Sequence, residues 1–185
     1  IAHLDTGGLE TWNDENLKRH IDRVAEADLE LRNIMFDPGE RIIFGQPGRN
    51  EDIETVINAI QIAGRQSLPV MEYNFYSHRI VEGYKVVPGR GGSGLMDFNN
   101  DRIKDLPPLN GKTTISLDEL WDNVTYYLKA VIPVAEEANV RLALHPNDPP
   151  APISRGSGQI MSTVEGWKRL TDIVPSPYNG ITFDC

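Results

Sequence analysis

The chain has 185 residues, of which 39% are hydrophobic and 24% charged, so its composition is that of one ordinary globular domain rather than of a disordered or fibrous chain. No apolar run approaches the roughly 20 residues that span a bilayer, the first residues lack the features of a signal peptide, and a single cysteine fits a reducing cytoplasm. The formal net charge of −9 would repel a phosphate backbone, so we expect neither nucleic acid nor membrane as a partner.

Short apolar runs recur along the chain and predict the strands of a parallel sheet. Each run is apolar in its middle and ends in polar residues, as buried parallel strands do. The predicted strands are residues 29–36, 68–75, 140–145 and 180–185, and residues 1–4 resemble the end of another strand.

Amphipathic helices fill the intervals between these strands. In residues 14–27 and 51–65, apolar side chains recur every three or four positions, so each segment would present one apolar stripe to a sheet. Strands that alternate with such helices predict an α/β fold. The same alternation occurs in a closed barrel and in an open doubly wound sheet, and periodicity does not decide between them. No linker divides residues 1–185, so we expect a single domain.

Two further helices are marked by capping signals. Ser116 and Glu119 have the spacing of a capping box, in which each side chain binds a backbone N–H group of the other residue. Ser162 and Glu165 have the same spacing and predict a second helix start. The two helices would cover residues 116–139 and 163–174.

Two segments are too long to be simple connections, residues 76–114 and 146–161. Each follows a predicted strand, and the loops at the carboxyl ends of barrel strands build active sites. Residues 89–94 match the G-x-G-x-x-G pattern of dinucleotide-binding loops, but neither a clear strand before them nor a helix after them accompanies it. We therefore reject a nucleotide site and expect either a flap, whose Arg90 could pair with a carboxylate, or a plain flexible loop.

His145 is the most informative residue of the chain. It ends the apolar run 140–145 and precedes Asn147 and Asp148 on a proline-rich turn. An imidazole beside acidic and amide groups at a strand end suits a divalent metal ion. A histidine can also cap a strand end through hydrogen bonds, and the local sequence leaves both interpretations open.

Cys185 ends the next predicted strand along the chain. Neighbouring strands lie about 5 Å apart, so Cys185 and His145 could bind one ion. A thiolate together with an imidazole favours Zn²⁺, Mn²⁺ or Fe²⁺ over Mg²⁺ or Ca²⁺. Taken alone, a cysteine here is more simply a small buried apolar residue.

Polar residues also end the predicted strand 68–75. Alternation along a strand gives Glu72 and Asn74 one orientation and Tyr73 the opposite one. These side chains could contact the hydroxyl groups of a substrate, or they could cap the strand end.

The sequence resembles the D-mannonate dehydratase family over most of its length. Tyr73 and Asn74 are similar to an early strand end of that family, and the similarity is most specific from residue 127 onward. Two positions differ: Asn147 replaces the first of the two aspartates that usually follow the family's His-Pro pair, and Glu72 stands where bacterial members have a small or apolar residue. The segments that carry the resemblance most clearly are residues 127–138, 140–150 and 162–185.

This resemblance implies a xylose-isomerase-like (β/α)8 TIM barrel, of which the chain would form a central portion, about strands two to six. It also implies a divalent metal ion, most often Mn²⁺, with Fe²⁺ or Zn²⁺ as alternatives. By this resemblance His145 and Cys185 match two of the metal ligands. The family's other two ligands, a histidine and an aspartate, would lie on later strands, and we do not expect 185 residues to close a barrel or to catalyse alone.

The implied reaction removes water from D-mannonate and yields 2-keto-3-deoxy-D-gluconate. The candidate residues for positioning this sugar acid are Asn74, Tyr73, Asp148 and Arg90, while the general acid and base are expected beyond Cys185 and are not assigned. A homo-oligomer is left open. Two alternatives remain: a metal-dependent barrel isomerase or epimerase, and a barrel relic without catalytic activity.

Overall fold

The computed structural model describes residues 7–78 and 82–183. Its α-helices are α1 (Asp14–Ala25), α2 (Glu40–Ile43), α3 (Arg49–Arg65), α4 (Leu117–Glu137) and α5 (Val164–Ile173). Its strands are β1 (Asn33–Phe36), β2 (Val70–Tyr73), β3 (Tyr84–Pro88), β4 (Gly94–Phe98), β5 (Arg141–Leu144), β6 (Ile153–Ser154), β7 (Ser157–Gly158) and β8 (Asn179–Ile181). The predicted strand at residues 1–4 lies outside the described residues, and so do Asp184 and Cys185.

Four of the strands form one parallel sheet. Their order in the sheet is β1-β2-β5-β8, which is also their order along the chain. The connections between them carry α2 and α3, then α4, then α5. The α/β fold with a parallel sheet that the sequence predicts is therefore confirmed.

The helices cover one face of this sheet. The register aligns alternate residues of β1, β2 and β5 in two rows, and every residue in these rows is buried in one core together with side chains of α3 and α4. We call this the helix-covered face. Its two rows are Ile34, Met71 and Leu142, and Phe36, Tyr73 and Leu144.

The other face carries the intervening residues of the strands. Met35, Glu72 and Ala143 are aligned there by the register, and Met35 is half exposed. We call this the open face. Beyond the strand ends, alternation continues it to Asn74 and His145.

The capping signals are partly confirmed. Ser116 and Glu119 form the predicted capping box at the start of α4. The predicted box at Ser162 is wrong: Thr163 caps α5 by accepting a hydrogen bond from the Gly166 N–H at 3.1 Å. Ser162 instead donates to the carbonyl oxygen of Gln159, so its hydroxyl is engaged outside the helix.

The long segments contain strands that the sequence did not predict. β3 and β4 form an antiparallel hairpin, and residues 89–93 make its turn, with a short 3-10 helix at Arg90–Gly92. Residues 89–94 therefore lie in and beside a hairpin turn and do not join a strand to an α-helix, as the G-x-G-x-x-G fingerprint requires. β6 and β7 form a second, shorter hairpin. No helix in the described part of the chain is long and apolar enough to cross a membrane.

Candidate functional site

The carboxyl ends of β2, β5 and β8 meet at one edge of the sheet. The backbone N–H of His145 donates to the carbonyl oxygen of Tyr73 at 2.8 Å, and the N–H of Thr182 donates to that of Leu144 at 3.0 Å. Pairing thus continues past the strands and holds the backbone of His145 rigidly at this edge. In parallel α/β proteins, this is the edge at which ligands bind.

The imidazole of His145 is oriented by its own turn. Its side chain is 21% exposed, and Nδ1 lies 2.7 Å from the carbonyl oxygen of Pro146. Because a carbonyl oxygen only accepts hydrogen bonds, Nδ1 carries the proton in the neutral ring and Nε2 bears the lone pair. A backbone carbonyl that holds one ring nitrogen is a common way in which proteins orient a metal-binding imidazole.

A buried carboxylate faces the imidazole. Glu72 is only 7% exposed, and its Oε1 lies 3.9 Å from the Nε2 of His145, which is too long for a hydrogen bond. Its other oxygen, Oε2, accepts a hydrogen bond of 2.6 Å from the side-chain amide of Asn33. The sequence does not predict this role of Asn33, because Asn33 is 39 residues from Glu72 and only the pairing of β1 with β2 brings the two together.

Asn74 and Tyr73 point to opposite faces, as the alternation predicts. The amide of Asn74 lies on the open face and donates to the sulfur of Met35 at 3.6 Å. Tyr73 is fully buried on the helix-covered face, between the rings of Phe36 and Tyr127 at centroid distances of 5.7 and 5.6 Å, and this burial raises the pKa of Tyr73. The placement gives Tyr73 a packing role and lends no support to its predicted contact with substrate.

The turn after His145 is fastened to the segment that leads into α5. The side-chain oxygen of Asn147 accepts from the N–H of Met161 at 2.7 Å, and the N–H of Asn147 donates to the Met161 carbonyl at 3.1 Å. Asp148 follows at the surface and accepts a hydrogen bond from the hydroxyl of Tyr84, at the base of the β3-β4 hairpin. Asn147 is therefore a structural residue, while Asp148 is exposed beside the site.

The two long segments hold each other through polar contacts that we call the loop latch, formed by His78, Glu82, Ser154 and Arg155. Ser154 Oγ lies 2.8 Å from Nε2 of His78, and Arg155 pairs with Glu82 at 2.5 Å. Desolvation by burial lowers the pKa of His78. This contact joins residues 76 positions apart in the chain, so no local pattern predicts it.

Arg90 lies at the tip of the β3-β4 hairpin and is exposed. Tyr84, which contacts Asp148, lies at the opposite end of β3. At about 3.3 Å per residue, the length of β3 separates the two ends by roughly 13 Å. The structure therefore does not bring Arg90 together with Asp148.

The two predicted metal ligands are only partly described. His145 is described, whereas Cys185 is not, so ligation by Cys185 stays a prediction. Across residues 7–78 and 82–183, no three His, Cys, Asp or Glu side chains are grouped closely enough to hold an ion. Within that part of the chain, His145 and Glu72 face each other with 3.9 Å between Nε2 and Oε1.

Fold and site together define an α/β protein with a parallel sheet and a polar site at its carboxyl edge. The D-mannonate dehydratase (UxuA) family matches residues 100–185. The mannonate dehydratase of Thermotoga maritima is 31% identical over 94% of this chain and 57% of its own length, and that of Streptococcus pneumoniae is 30% identical over 94% and 54%.

A solved structure extends this similarity to three dimensions. The crystal structure of mannonate dehydratase from Streptococcus suis serotype 2 superposes with a TM-score of 0.85 at 31% identity, over 98% of this chain and 55% of that one. The resemblance to the D-mannonate dehydratase family is thus confirmed in sequence and in fold. The chain spans little more than half the length of these relatives.

Proposed function

We propose that the full-length protein is a hydro-lyase that dehydrates D-mannonate to 2-keto-3-deoxy-D-gluconate with the help of a divalent metal ion. The observation that carries the proposal is the 31% identity with a mannonate dehydratase over 94% of the chain. The oriented imidazole of His145 at the carboxyl edge of the sheet supports it independently, because that edge is where such enzymes act.

The barrel is part of the same proposal. A doubly wound sheet carries helices on both faces and reverses its strand order at a switch point. The described strands instead keep one order, and their helices pack into one core on the helix-covered face. Both features favour a central portion of a (β/α)8 barrel, about strands two to six, with the open face directed to the barrel interior.

The donor chemistry of the site fits a divalent ion. Nε2 of His145 faces a buried carboxylate, and nitrogen and oxygen donors of this kind suit Mn²⁺, with Fe²⁺ or Zn²⁺ as alternatives. By the resemblance, His145 and Cys185 would hold the ion. Once bound, such an ion would supply positive charge that stabilises the anion formed when C2 of the sugar acid loses its proton.

The chain's own residues would bind and orient the substrate. Asn74 offers an amide on the open face that can donate to and accept from hydroxyl groups. Asp148 is exposed beside the site, and Arg90 could pair with the substrate carboxylate only if the β3-β4 hairpin moved toward the sheet edge. Tyr73 supports the site by packing beneath it. The general acid and base are not assigned to any residue of this chain.

Product analysis tests the proposal. The full-length protein, supplied with D-mannonate and Mn²⁺, should form a 2-keto-3-deoxy acid, and a matched sample with chelator should form none. A product that keeps all its oxygen atoms would replace the dehydratase with an isomerase or epimerase. Binding of Mn²⁺ without any product would contradict the proposed substrate, and size-exclusion chromatography of the same sample would decide between a monomer and a homo-oligomer.

A further inference from the structure

Glu72 is a buried carboxylate whose surroundings on the described chain do not neutralise it. Its side chain has two polar contacts there, the hydrogen bond from the neutral amide of Asn33 and the 3.9 Å approach to His145. A carboxylate taken out of water requires a compensating positive charge or a full set of hydrogen bonds. From the described residues Glu72 receives one hydrogen bond, at Oε2, and none of them compensates the other oxygen, Oε1.

The carboxylate of Glu72 and the imidazole of His145 are each oriented by a hydrogen bond to a neighbouring group. Asn33 fixes Oε2 of Glu72 and thereby directs Oε1 toward the histidine. The Pro146 carbonyl fixes Nδ1 of His145 and thereby directs Nε2 toward the carboxylate. Such outer contacts are the usual support of metal ligands, because they select the tautomer and limit side-chain rotation.

The separation of the two donors suits a shared ion. Nitrogen and oxygen ligands lie about 2.0–2.2 Å from a borderline divalent ion, so two donors can share one only when they are less than about 4.3 Å apart. The observed 3.9 Å between Nε2 and Oε1 lies within this limit and beyond hydrogen-bond length.

We propose that Glu72 is a ligand of the same divalent ion as His145, and this inference rests on the metal site of the proposed function. The resemblance to the family implies His145 and Cys185 as ligands and assigns none at this strand end. A carboxylate oxygen is a harder donor than a thiolate or an imidazole. Glu72 therefore raises the affinity for Mn²⁺ more than the affinity for Zn²⁺.

Metal titration of the full-length protein, freed of metal by chelation, tests this assignment. The signal of free Mn²⁺ in electron paramagnetic resonance gives the Kd of the wild-type protein, and competition gives the Kd for Zn²⁺. Glu72→Gln keeps the size of the side chain and an acceptor for Asn33, but removes the charge. Glu54→Gln makes the same change on the exposed surface of α3 and is the matched control.

The expected result is a rise of about ten-fold or more in the Kd for Mn²⁺ in Glu72→Gln, with a smaller rise for Zn²⁺ and a change below two-fold in Glu54→Gln. A Kd for Mn²⁺ in Glu72→Gln within two-fold of the wild type overturns the inference. If circular dichroism shows that Glu72→Gln does not fold, Glu72→Asp carries the test with the same criterion, since its carboxylate is withdrawn by one methylene.

A third variant separates this inference from the proposed function. If His145→Ala loses Mn²⁺ affinity and Glu72→Gln does not, only the role of Glu72 is wrong. If the wild-type protein binds no Mn²⁺, or if His145→Ala binds it as tightly as the wild type, the proposed metal site fails and the inference about Glu72 fails with it.

Discussion

The two faces of the parallel sheet use the same strands for different purposes. Met71 and Met35 show the contrast, because both are methionines on adjacent strands. Met71 lies on the helix-covered face and is 0% exposed, whereas Met35 lies on the open face and is 48% exposed. On the helix-covered face, side chains interdigitate with α3 and α4, while on the open face polar groups orient one another around His145.

Strand alternation therefore places the side chains of the core on one face and the polar side chains around His145 on the other. Substitutions on the helix-covered face should lower the free energy of unfolding, and those on the open face should lower metal binding or activity. The loop latch forms a third region, since it joins the two long segments mainly through polar contacts. A small apolar cluster around Ile103 and Ala151 accompanies it.

The largest effect is expected for His145→Ala. A catalytic metal ion contributes several kcal/mol of transition-state stabilisation, which corresponds to a loss of about 10³-fold or more in kcat/KM for the dehydration. The melting temperature of the metal-free protein should hardly change, because the side chain lies on the open face. His20→Ala on α1 is the control. If His145→Ala keeps its dehydratase activity, the reaction does not depend on His145 and the open face is not the proposed metal site.

The next effect compares the two methionines directly. Met71→Ala should cost about 2–5 kcal/mol of unfolding free energy, since it leaves a cavity in the core, whereas Met35→Ala should cost less than about 1 kcal/mol. Urea denaturation of both variants measures this difference. Equal costs would show that the open face also carries a core, and the contrast between the two faces would have to be withdrawn.

The sequence predicted what depends on local periodicity. The helices and the polar ends of β2 and β5 follow from spacing within a few residues, and Glu72, Asn74 and His145 were recognised in that way. Asn33 was missed, because its contact with Glu72 depends on the register of two strands. The facing pair of Glu72 and His145 likewise joins two strands that are far apart in the chain.

Local patterns also failed where two neighbours offer the same chemistry. Ser162 and Thr163 both carry a hydroxyl group before α5, and the motif favoured Ser162 because Glu165 stands three residues later. The helix uses Thr163, since Ser162 is bonded to Gln159. The sequence pattern does not predict the β3-β4 hairpin, because residues such as Val86 and Met96 are exposed there and no buried face imposes a clear alternation.

A smaller effect is expected at that cap. Thr163→Ala removes the side-chain acceptor for the Gly166 N–H and should cost about 1 kcal/mol. Because α5 packs Leu170 into the core of the helix-covered face, the loss should appear in stability and leave metal affinity unchanged. Thr163→Ser keeps the hydroxyl and should stay close to the wild type in thermal denaturation. An equal loss in both variants would show that the methyl group matters rather than the cap.

The smallest effect concerns the loop latch and depends on pH. Burial lowers the pKa of His78, the charges of Arg155 and Lys112 lower it further, and Glu82 opposes them. The pKa of His78 in the folded state therefore lies below the unfolded value of about 6.5. The stabilising contribution of the neutral ring is present above that unfolded value and is lost as pH falls toward the folded pKa.

Limited proteolysis within residues 76–114 and 146–161 measures this dependence. Cleavage of the wild-type protein should become faster as the pH falls from about 7.5 to about 5.5, where an unperturbed histidine would be mostly protonated. His78→Gln keeps hydrogen-bonding groups without titrating and should give a flatter profile, after correction for the protease's own pH dependence. If the cleavage rates of the two proteins depend on pH in the same way, protonation of His78 does not weaken the loop latch.

The proposed metal-dependent dehydration is tested most directly by returning Mn²⁺ to the metal-free, full-length protein in the presence of D-mannonate. Nuclear magnetic resonance follows the substrate and the product in the same sample. We expect D-mannonate to be stable before the addition and to be converted to 2-keto-3-deoxy-D-gluconate after it. Conversion at the same rate without metal, or no conversion with metal bound, would contradict a metal-dependent dehydratase site on the open face.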